Sequence, residues 1–108
     1  MAAPGEPALL FAALGDPTRL GLITRLSDGR ARSMTEMGDG LPISRQAVAK
    51  HLDILWGAGL VRRTKSGREV LFALNKTGVD SARGWLEQIG AQWDETLLRL
   101  KLFAENEP

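Results

Sequence analysis

Residues 43–60 read ISRQAVAKHLDILWGAGL, and this stretch decides the fold. On a helical period three of its aliphatic side chains share one face, namely Val48, Leu52 and Leu55. The opposite face carries three polar side chains, namely Gln46, Lys50 and Asp53. Ser44 is a favourable N-cap residue, and Gly57 and Gly59 are favourable at the end of a helix. The stretch therefore predicts a short helix with a narrow apolar stripe and a polar face.

The polar face of this helix has the size and chemistry to read DNA. An α-helix is about 10–12 Å across, and the major groove of DNA is about 12 Å wide. The amide of Gln46 can hydrogen-bond adenine at two positions, and the ammonium group of Lys50 can reach guanine or a phosphate. We therefore predict that this is a DNA recognition helix.

Positive charge is concentrated around this helix. The chain has a net charge of +1, but residues 44–68 carry +5 and the remainder carries −4. The cations of the segment are Arg45, Lys50, Arg62, Arg63, Lys65 and Arg68, and its one acidic residue is Asp53. Any one of these side chains fits an ordinary solvated surface, but the cluster has the footprint of a phosphate-binding face.

Length and composition limit the class of protein. A chain of 108 residues with 44% hydrophobic and 25% charged residues is typical of one soluble globular domain. Because it has no cysteine, disulfides and thiolate metal sites are excluded. No apolar run reaches the roughly 18 residues of a membrane span, and the first residues, MAAPGEPALLF, do not resemble a signal peptide. We expect a cytoplasmic protein with a flexible tail over residues 1–7 and a single domain over residues 8–108.

Three predicted helices precede the recognition helix. Residues 8–14, ALLFAAL, form a short apolar helix that must pack against another element. Asp16 and Pro17 are typical of the start of a second helix, which runs to about residue 27. Ser33 and Glu36 have the spacing of a capping box, which predicts a third helix over residues 33–38. This third helix, a glycine-containing turn and the recognition helix make a helix-turn-helix over residues 33–57.

A β-hairpin is predicted after the helix-turn-helix. Residues 60–65, LVRRTK, and 69–74, EVLFAL, have the composition of strands, with Ser66 and Gly67 as the turn between them. The tip of the hairpin is basic, with Arg63, Lys65 and Arg68. Because a two-stranded hairpin is marginally stable alone, we expect residues 60–74 to lie on the helices as a wing.

Residues 77–105 are predicted to form one long helix, with a break near Gly90. Its apolar side chains recur at spacings of three and four residues, and they cover more surface than this chain can bury by itself. Together with the apolar first helix, residues 8–14, this stripe predicts a homodimer interface. The predicted interface residues are Leu9, Leu10, Phe11, Leu86, Ile89, Trp93, Leu97 and Leu100. The predicted fold is thus mainly α with a small β-hairpin, a dimeric winged helix-turn-helix with a long C-terminal helix.

Three stretches of the sequence resemble the ArsR/SmtB-type winged-helix repressors of bacteria. They are FAALGDPTRLGLITRL (residues 11–26), ISRQAVAKHLDILWGAGLV (residues 43–61) and SGREVLFAL (residues 66–74). The middle stretch is the most specific, because it combines a leading serine, a valine, a His-Leu pair and Ala-Gly-Leu-Val at the spacing of the family. With the spacing of the helices, the resemblance covers nearly the whole chain.

The resemblance implies a homodimeric repressor that binds an inverted-repeat operator and blocks transcription. Its two recognition helices would read half-sites about 34 Å apart. By position, the DNA-reading residues would be Ser44, Arg45, Gln46, Ala47 and Lys50, and the wing contacts would be Arg63, Lys65 and Arg68. Three further residues match the structural signature of the second helix and would cap and brace it, namely Asp16, Pro17 and Arg19.

The sequence departs from the metal-sensing members of this family. Those members hold metals through cysteines on the helix before the recognition helix, or through Asp, His and Glu on the last helix. Here the first of these helices offers Met34, Glu36 and Met37, and the last offers Asp80, Asp94 and Glu95. Because soft and borderline metals prefer sulfur and nitrogen ligands, we expect no metal site and no cofactor.

One alternative function is a winged-helix module that binds an acidic protein partner without specific DNA binding. The pairing of Gln46 and Lys50 with a basic hairpin tip favours double-stranded DNA over that partner. We do not expect an enzyme, since Asp94 and Glu95 are sequence neighbours that point about 100° apart on a helix, and no other catalytic constellation is visible.

Other roles stay open at this level. For His51 a structural hydrogen bond at the edge of the helix is favoured over a phosphate contact. Trp56 fits both packing under the wing and partial exposure. An unknown small-molecule effector between the first and last helices would meet Phe11, Trp85 and Trp93, although core packing explains these three residues better.

Overall fold

The computed structural model describes residues 5–106, which form five helices and three short strands. The helices are α1 (Pro7–Leu14), α2 (Pro17–Leu26), α3 (Met34–Gly38), α4 (Arg45–Gly57) and α5 (Lys76–Glu105). The strands are β1 (Arg32–Ser33), β2 (Val61–Ser66) and β3 (Glu69–Leu74). The predicted fold class, mainly helical with a β-hairpin and a long C-terminal helix, is confirmed.

Two local signals start helices where the sequence predicts them. The hydroxyl of Ser33 accepts a hydrogen bond from the backbone N–H of Glu36 at 3.2 Å, and the Glu36 carboxylate accepts one from the backbone N–H of Ser33 at 3.0 Å. This is the predicted capping box. The hydroxyl of Ser44 accepts from the backbone N–H of Ala47 at 3.1 Å and caps α4. Each bond satisfies a backbone donor that the first turn of a helix leaves free.

The sheet has one more strand than the sequence predicts. Strand β3 pairs with β2 and with β1, both antiparallel, so the strand order is β1-β3-β2. Strand β1 is two residues long, and in it Arg32 pairs with Phe72 and Ser33 with Leu71. The added pairing joins the middle of β3 to the residues just before α3, so the wing is attached to the helix-turn-helix through backbone hydrogen bonds.

The turn of the hairpin lies one residue later than predicted. Ser66 is the last residue of β2 and pairs with Glu69, which leaves Gly67 and Arg68 as the turn. Gly67 has a φ of +61°, whereas Arg68 does not have a positive φ. This combination is that of a type II′ turn, which places glycine first. The prediction of Ser66-Gly67 was wrong because glycine was assigned to the second position of the turn.

The last helix is continuous through Gly90, so the predicted break there is wrong. α5 runs for 30 residues from Lys76 to Glu105. An isolated glycine within a helix lowers its stability without ending it. No atom lies within 4 Å of the position that a side chain at Gly90 would take, so no neighbouring element bends the helix there.

One hydrophobic core lies between the helices and the sheet. Its largest fully buried side chains are Leu10, Leu22, Leu26, Met37, Val48, Leu52, Leu55 and Leu60. α5 contributes little to this core, because Gly78 and Ala82 are its only buried residues within the described chain. The body also begins earlier than the predicted boundary at residue 8, since Pro7 belongs to α1 and the backbone N–H of Gly5 donates to Ala58. The remainder of the predicted tail, residues 1–4, lies outside the described residues.

Candidate nucleic-acid interface

The recognition helix α4 turns its aliphatic face inward and its polar face outward. Val48, Leu52 and Leu55 are buried in the core. Of the predicted DNA-reading residues, Ala47 is half-buried and the others are exposed, namely Ser44, Arg45, Gln46 and Lys50. The amide and the ammonium group that would contact base edges are therefore free of the protein core and face solvent.

Arg19 and His51 hold the recognition helix against α2. The guanidinium of Arg19 donates to Nδ1 of His51 at 3.1 Å and also to the backbone carbonyl of Ala13. Because Nδ1 accepts in this bond, the neutral ring carries its proton on Nε2. Both side chains are partly buried, and the bond joins α2 to α4. His51 therefore has the structural role that the sequence favoured.

Asp16 completes this contact. Its carboxylate caps α2 by accepting from the backbone N–H of Arg19 at 3.0 Å, and it lies 3.9 Å from Nδ1 of His51. The hydrogen bond from the Arg19 backbone, together with the charge of the Arg19 guanidinium, holds the pKa of Asp16 below its usual value. A carboxylate, an arginine and a histidine thus brace the recognition helix from behind, as the resemblance implied for Asp16 and Arg19.

Arg25 fixes the turn that leads into the recognition helix. Its Nη1 donates to three backbone carbonyls, those of Glu36, Met37 and Asp39, at 3.1, 3.0 and 2.8 Å. Carbonyls at the end of a helix lack partners within it, so one cation satisfies several of them at once. The sequence did not single out Arg25, because its three acceptors lie 11 to 14 residues further along the chain.

Arg63 of the wing is directed towards the recognition helix. Its guanidinium lies 3.9 Å from the ring centre of Trp56, and its Nη1 is 3.2 Å from the carboxylate of Asp53. Stacking on an indole and pairing with a carboxylate both stabilise a guanidinium. Trp56 is 47% exposed, so it is neither fully packed nor free. Arg63 thus links β2 to the outer side of α4. The local sequence around Arg63, Trp56 and Asp53 did not indicate this link.

The tip of the wing stands apart from this link. Lys65 and Arg68 are exposed, and no ion pair of either is present among the described residues. Arg68 lines a recess of about 710 Å³ between the wing and the start of α4. The opposite wall carries Ser44, Arg45 and Gln46. The recess brings a wing cation and three predicted DNA-reading residues to one side of the molecule.

The predicted dimer residues fall into two groups. Leu10 is fully buried within the protomer, so it supports α1 from the inside and offers no outer surface. Leu9 and Phe11 are half-buried, and the Phe11 ring lies 5.3 Å from that of Trp85 on α5. The predicted residues on α5 are all exposed, namely Leu86, Ile89, Trp93, Leu97 and Leu100. This row of apolar side chains is named the α5 stripe.

Neither a metal site nor a membrane span is found in the described part of the chain. Among residues 5–106, no three histidine, aspartate or glutamate side chains are close enough to hold a metal ion together. None of the helices that the structure describes has both the length and the hydropathy needed to cross a bilayer.

Comparison with known proteins agrees with this geometry. A family model described as a helix-turn-helix domain matches residues 14–64. The chain is 36% identical over 90 residues to an uncharacterized HTH-type transcriptional regulator, YuzN, of Bacillus subtilis, a match that covers 77% of this chain and 98% of that protein. It is 38% identical over 65 residues to the HTH-type transcriptional repressor SmtB of Mycobacterium tuberculosis, covering 60% of this chain and 47% of that one.

A solved structure extends the similarity over nearly the whole chain. The ArsR-like transcriptional regulator from Rhodococcus sp. RHA1 superposes with a TM-score of 0.78 and 40% sequence identity, and the match covers 93% of each chain. The match thus extends well beyond the helix-turn-helix residues 14–64. The chain belongs to the ArsR/SmtB-type family of winged helix-turn-helix proteins, and it is a DNA-binding transcriptional regulator.

Proposed function

We propose that the protein is a homodimeric repressor that binds an inverted-repeat operator. One observation carries the DNA-binding part of the proposal. The recognition helix leaves Gln46 and Lys50 exposed, and the wing places Arg68 across a recess from Arg45 on the same side of the molecule. A polar helix that fits the major groove, flanked by cations that can contact phosphates, is suited to duplex DNA.

The contacts divide into two kinds. Arg45, Lys65 and Arg68 contact phosphates, which sets affinity and register and makes binding depend on salt. Gln46 and Lys50 contact base edges, and each good pair contributes roughly 1–3 kcal/mol of discrimination. Ser44 and Ala47 lie at the start of the same helix, where Ser44 also caps it. Arg63 acts through Trp56 and Asp53 and holds the wing against α4.

The proposal of a dimer rests on the α5 stripe. Trp93 and Leu86 are more than half exposed, and the row continues through Leu97 and Leu100. Exposed apolar surface of this extent is typical of a protein interface. A second copy is the occupant, since a two-fold dimer buries the same stripe on both protomers and doubles the DNA contacts. Leu9 and Phe11 of α1 lie at the margin of this interface, and Leu10 supports α1 from the core.

Repression rather than activation is proposed because a related protein, SmtB of M. tuberculosis, is named a repressor. A dimer bound across a promoter blocks transcription by occupying the DNA. The proposed role is regulatory and not enzymatic, and a regulator with this role would act in the cytoplasm.

The test is binding to DNA from upstream of the protein's own gene, measured by fluorescence anisotropy over a salt series. We expect tight binding with a steep salt dependence and two protomers per site, and weak binding to a scrambled duplex. Equal and weak binding to both duplexes and to other promoter fragments would contradict the proposal. It would instead favour an acidic protein partner for the basic face, which a pull-down would then identify.

A further inference from the structure

Three functional elements meet at one short turn. α4 ends at Gly57, and the turn that follows, Ala58 to Leu60, leads directly into β2. The backbone N–H of Leu60 donates to the carbonyl of Leu55 on α4 at 3.0 Å. The backbone N–H of Asn75, which precedes α5, donates to the carbonyl of Leu60 at 2.9 Å. The recognition helix, the wing and α5 are therefore bonded to the same few backbone atoms.

α5 touches this turn with its own backbone. A methyl group at Gly78 would overlap the carbonyl oxygen of Gly59 and lie 2.8 Å from its carbonyl carbon. Ordinary contact between carbon atoms is about 3.5–4.0 Å, and backbone atoms cannot rotate away as a flexible side chain can. Gly59 itself has a φ of +84°, which favours glycine. The approach of α5 to the end of α4 thus depends on a glycine on each side.

α5 has little other support from its own protomer. Its buried residues, among those described, are Gly78 and Ala82, both in its first two turns. Phe11 of α1 meets it at Trp85. Beyond that contact the helix continues for 20 residues to Glu105, or about 30 Å. The direction of this long free segment is set by contacts within its first ten residues.

We propose that the contact between Gly59 and Gly78 sets the distance between the two recognition helices of the dimer, and so selects the spacing of operator half-sites. This inference rests on the proposed dimer through the α5 stripe. Gly78 is then a positioning residue, which acts on DNA through the angle between α5 and α4. Its role differs from that of Gln46, which reads a base within one half-site.

The size of the effect follows from the lever. A methyl group at Gly78 would push α5 outward by about 1 Å, while Phe11 holds Trp85 about 10 Å further along. This tilts the helix by roughly 5°, and Leu97, about 18 Å beyond Trp85, moves by about 1.7 Å. In a two-fold dimer that meets through the α5 stripe, the displacements of both protomers add. The separation of the two recognition helices then changes by about 3.4 Å, which equals one base-pair step.

The first test measures the distance between recognition helices directly. Because the chain has no cysteine, Lys50→Cys gives one spin-label site per protomer. Pulsed electron paramagnetic resonance on the dimer should show one distance between the two spin labels of the parent. Gly78→Ala should shift that distance by about 3 Å. Gly84→Ala is the matched control, because no atom of another element lies within 4 Å of its added methyl group. The distance between its spin labels should equal that of the parent.

The second test uses unlabelled protein and operator duplexes in which the half-site separation changes by single base pairs. Gly78→Ala should move the preferred separation by about one base pair, or lose at least tenfold in affinity at the parental separation. Binding to a single half-site should stay as in Gly84→Ala. A merely structural role for Gly78 would lower stability without changing the preferred separation.

The outcomes separate this inference from the proposed function. If Gly78→Ala dimerises with the parental distance and the parental preferred separation, the inference is wrong and the dimer stands. If circular dichroism shows that Gly78→Ala does not fold, Ala82→Val replaces it in the distance measurement. The larger side chain of this variant lies on the same face of α5, one turn after Gly78. An unchanged distance there would overturn the inference. A parent protein that shows no distance between protomers would overturn the proposed dimer itself, and this inference with it.

Discussion

Arg63 is a basic side chain of the wing that is already engaged within the protein. It lies against Trp56 and pairs with Asp53, and each of these contacts is worth about 0.5–1 kcal/mol where solvent has access. Arg68, five residues later at the turn, has no such partner among the described residues. The sequence alone assigned Arg63 and Arg68 to the same basic tip. It could not distinguish them, because a stacking contact between two elements does not appear in the local residue pattern. The sequence placed Gln46, Lys50 and Asp53 correctly on the outer face of α4, since helical periodicity is local.

Replacing Arg68 by Ala should weaken binding to every duplex alike and reduce the slope of log affinity against log salt by about 0.9, because one phosphate contact is lost. Arg63→Ala should leave that slope close to the parental value. Anisotropy titrations over a salt series check both. Arg99→Ala, which removes the same charge from the exposed surface of α5, is the control. Equal slopes for Arg68→Ala and Arg99→Ala would show that the wing tip does not contact DNA.

Replacing Gln46 by Ala should remove discrimination at one base pair per half-site, because the two hydrogen bonds of the amide to the base are lost. The expected cost is about 1–3 kcal/mol at the preferred base and little at the others. Competition binding against duplexes changed at single positions measures this. Gln88→Ala, which removes an exposed amide from α5, should bind as the parent does. An unchanged base preference in Gln46→Ala would contradict the docking proposed for α4.

Among the elements, α3 and the strand before it show where local signals suffice and where they fail. The capping box that starts α3 was predicted because its two side chains are three residues apart. Strand β1 was not predicted, since a two-residue strand exists through its pairing with β3, nearly 40 positions further along the chain. The turn of the wing was misplaced by one residue for a related reason. Its position depends on the register between β2 and β3, which composition does not determine.

The capping box predicts how stability depends on pH. The backbone N–H and the hydroxyl of Ser33 hydrogen-bond the Glu36 carboxylate and hold its pKa below the usual 4.5. The folded state therefore favours the charged form, so this contribution is complete above pH 4.5 and is lost as the pH falls through the lowered pKa. Glu36→Gln can still cap α3 but carries no charge. Its free energy of unfolding should fall less between pH 5 and about pH 3 than that of the parent.

Urea unfolding at several pH values between about 7 and 3 measures this difference. Glu95→Gln, which removes a carboxylate from the exposed surface of α5, should follow the parent more closely. Parallel pH profiles for the parent and Glu36→Gln would show that the box does not favour the charged carboxylate.

The whole molecule is elongated because α5 extends away from the body. Its overall dimensions are 72 × 29 × 27 Å, and a helix of 30 residues accounts for most of the long axis. The amino-acid sequence alone indicates this surplus of apolar surface, because the stripe is too long for a small core. The sequence could not decide whether Leu10 lies in the core or at the dimer interface, since α1 is eight residues long and apolar on all sides. Only packing shows that Leu10 points inward.

Replacing Trp93 by Glu should convert the dimer into monomers, because a charge would be buried at the centre of the α5 stripe without a partner. Operator affinity should fall with it, since one protomer holds one half-site. Sedimentation velocity gives the oligomeric state, and anisotropy gives the affinity. Gln88→Glu adds the same charge elsewhere on α5 and should remain dimeric. A dimeric Trp93→Glu variant would place the interface on another surface.

The uncovered α5 stripe makes the abundance of the regulator one of its inputs. A protomer that has not met a second copy exposes its tryptophan and leucines to water, so folding is completed by assembly and gains stability as the protein accumulates. At low expression, occupancy of a two-fold site rises with the square of the protomer concentration. If the concentration of this chain is halved, the occupancy of the operator therefore falls by more than half. The promoter then responds more steeply to the concentration of the regulator, without any ligand.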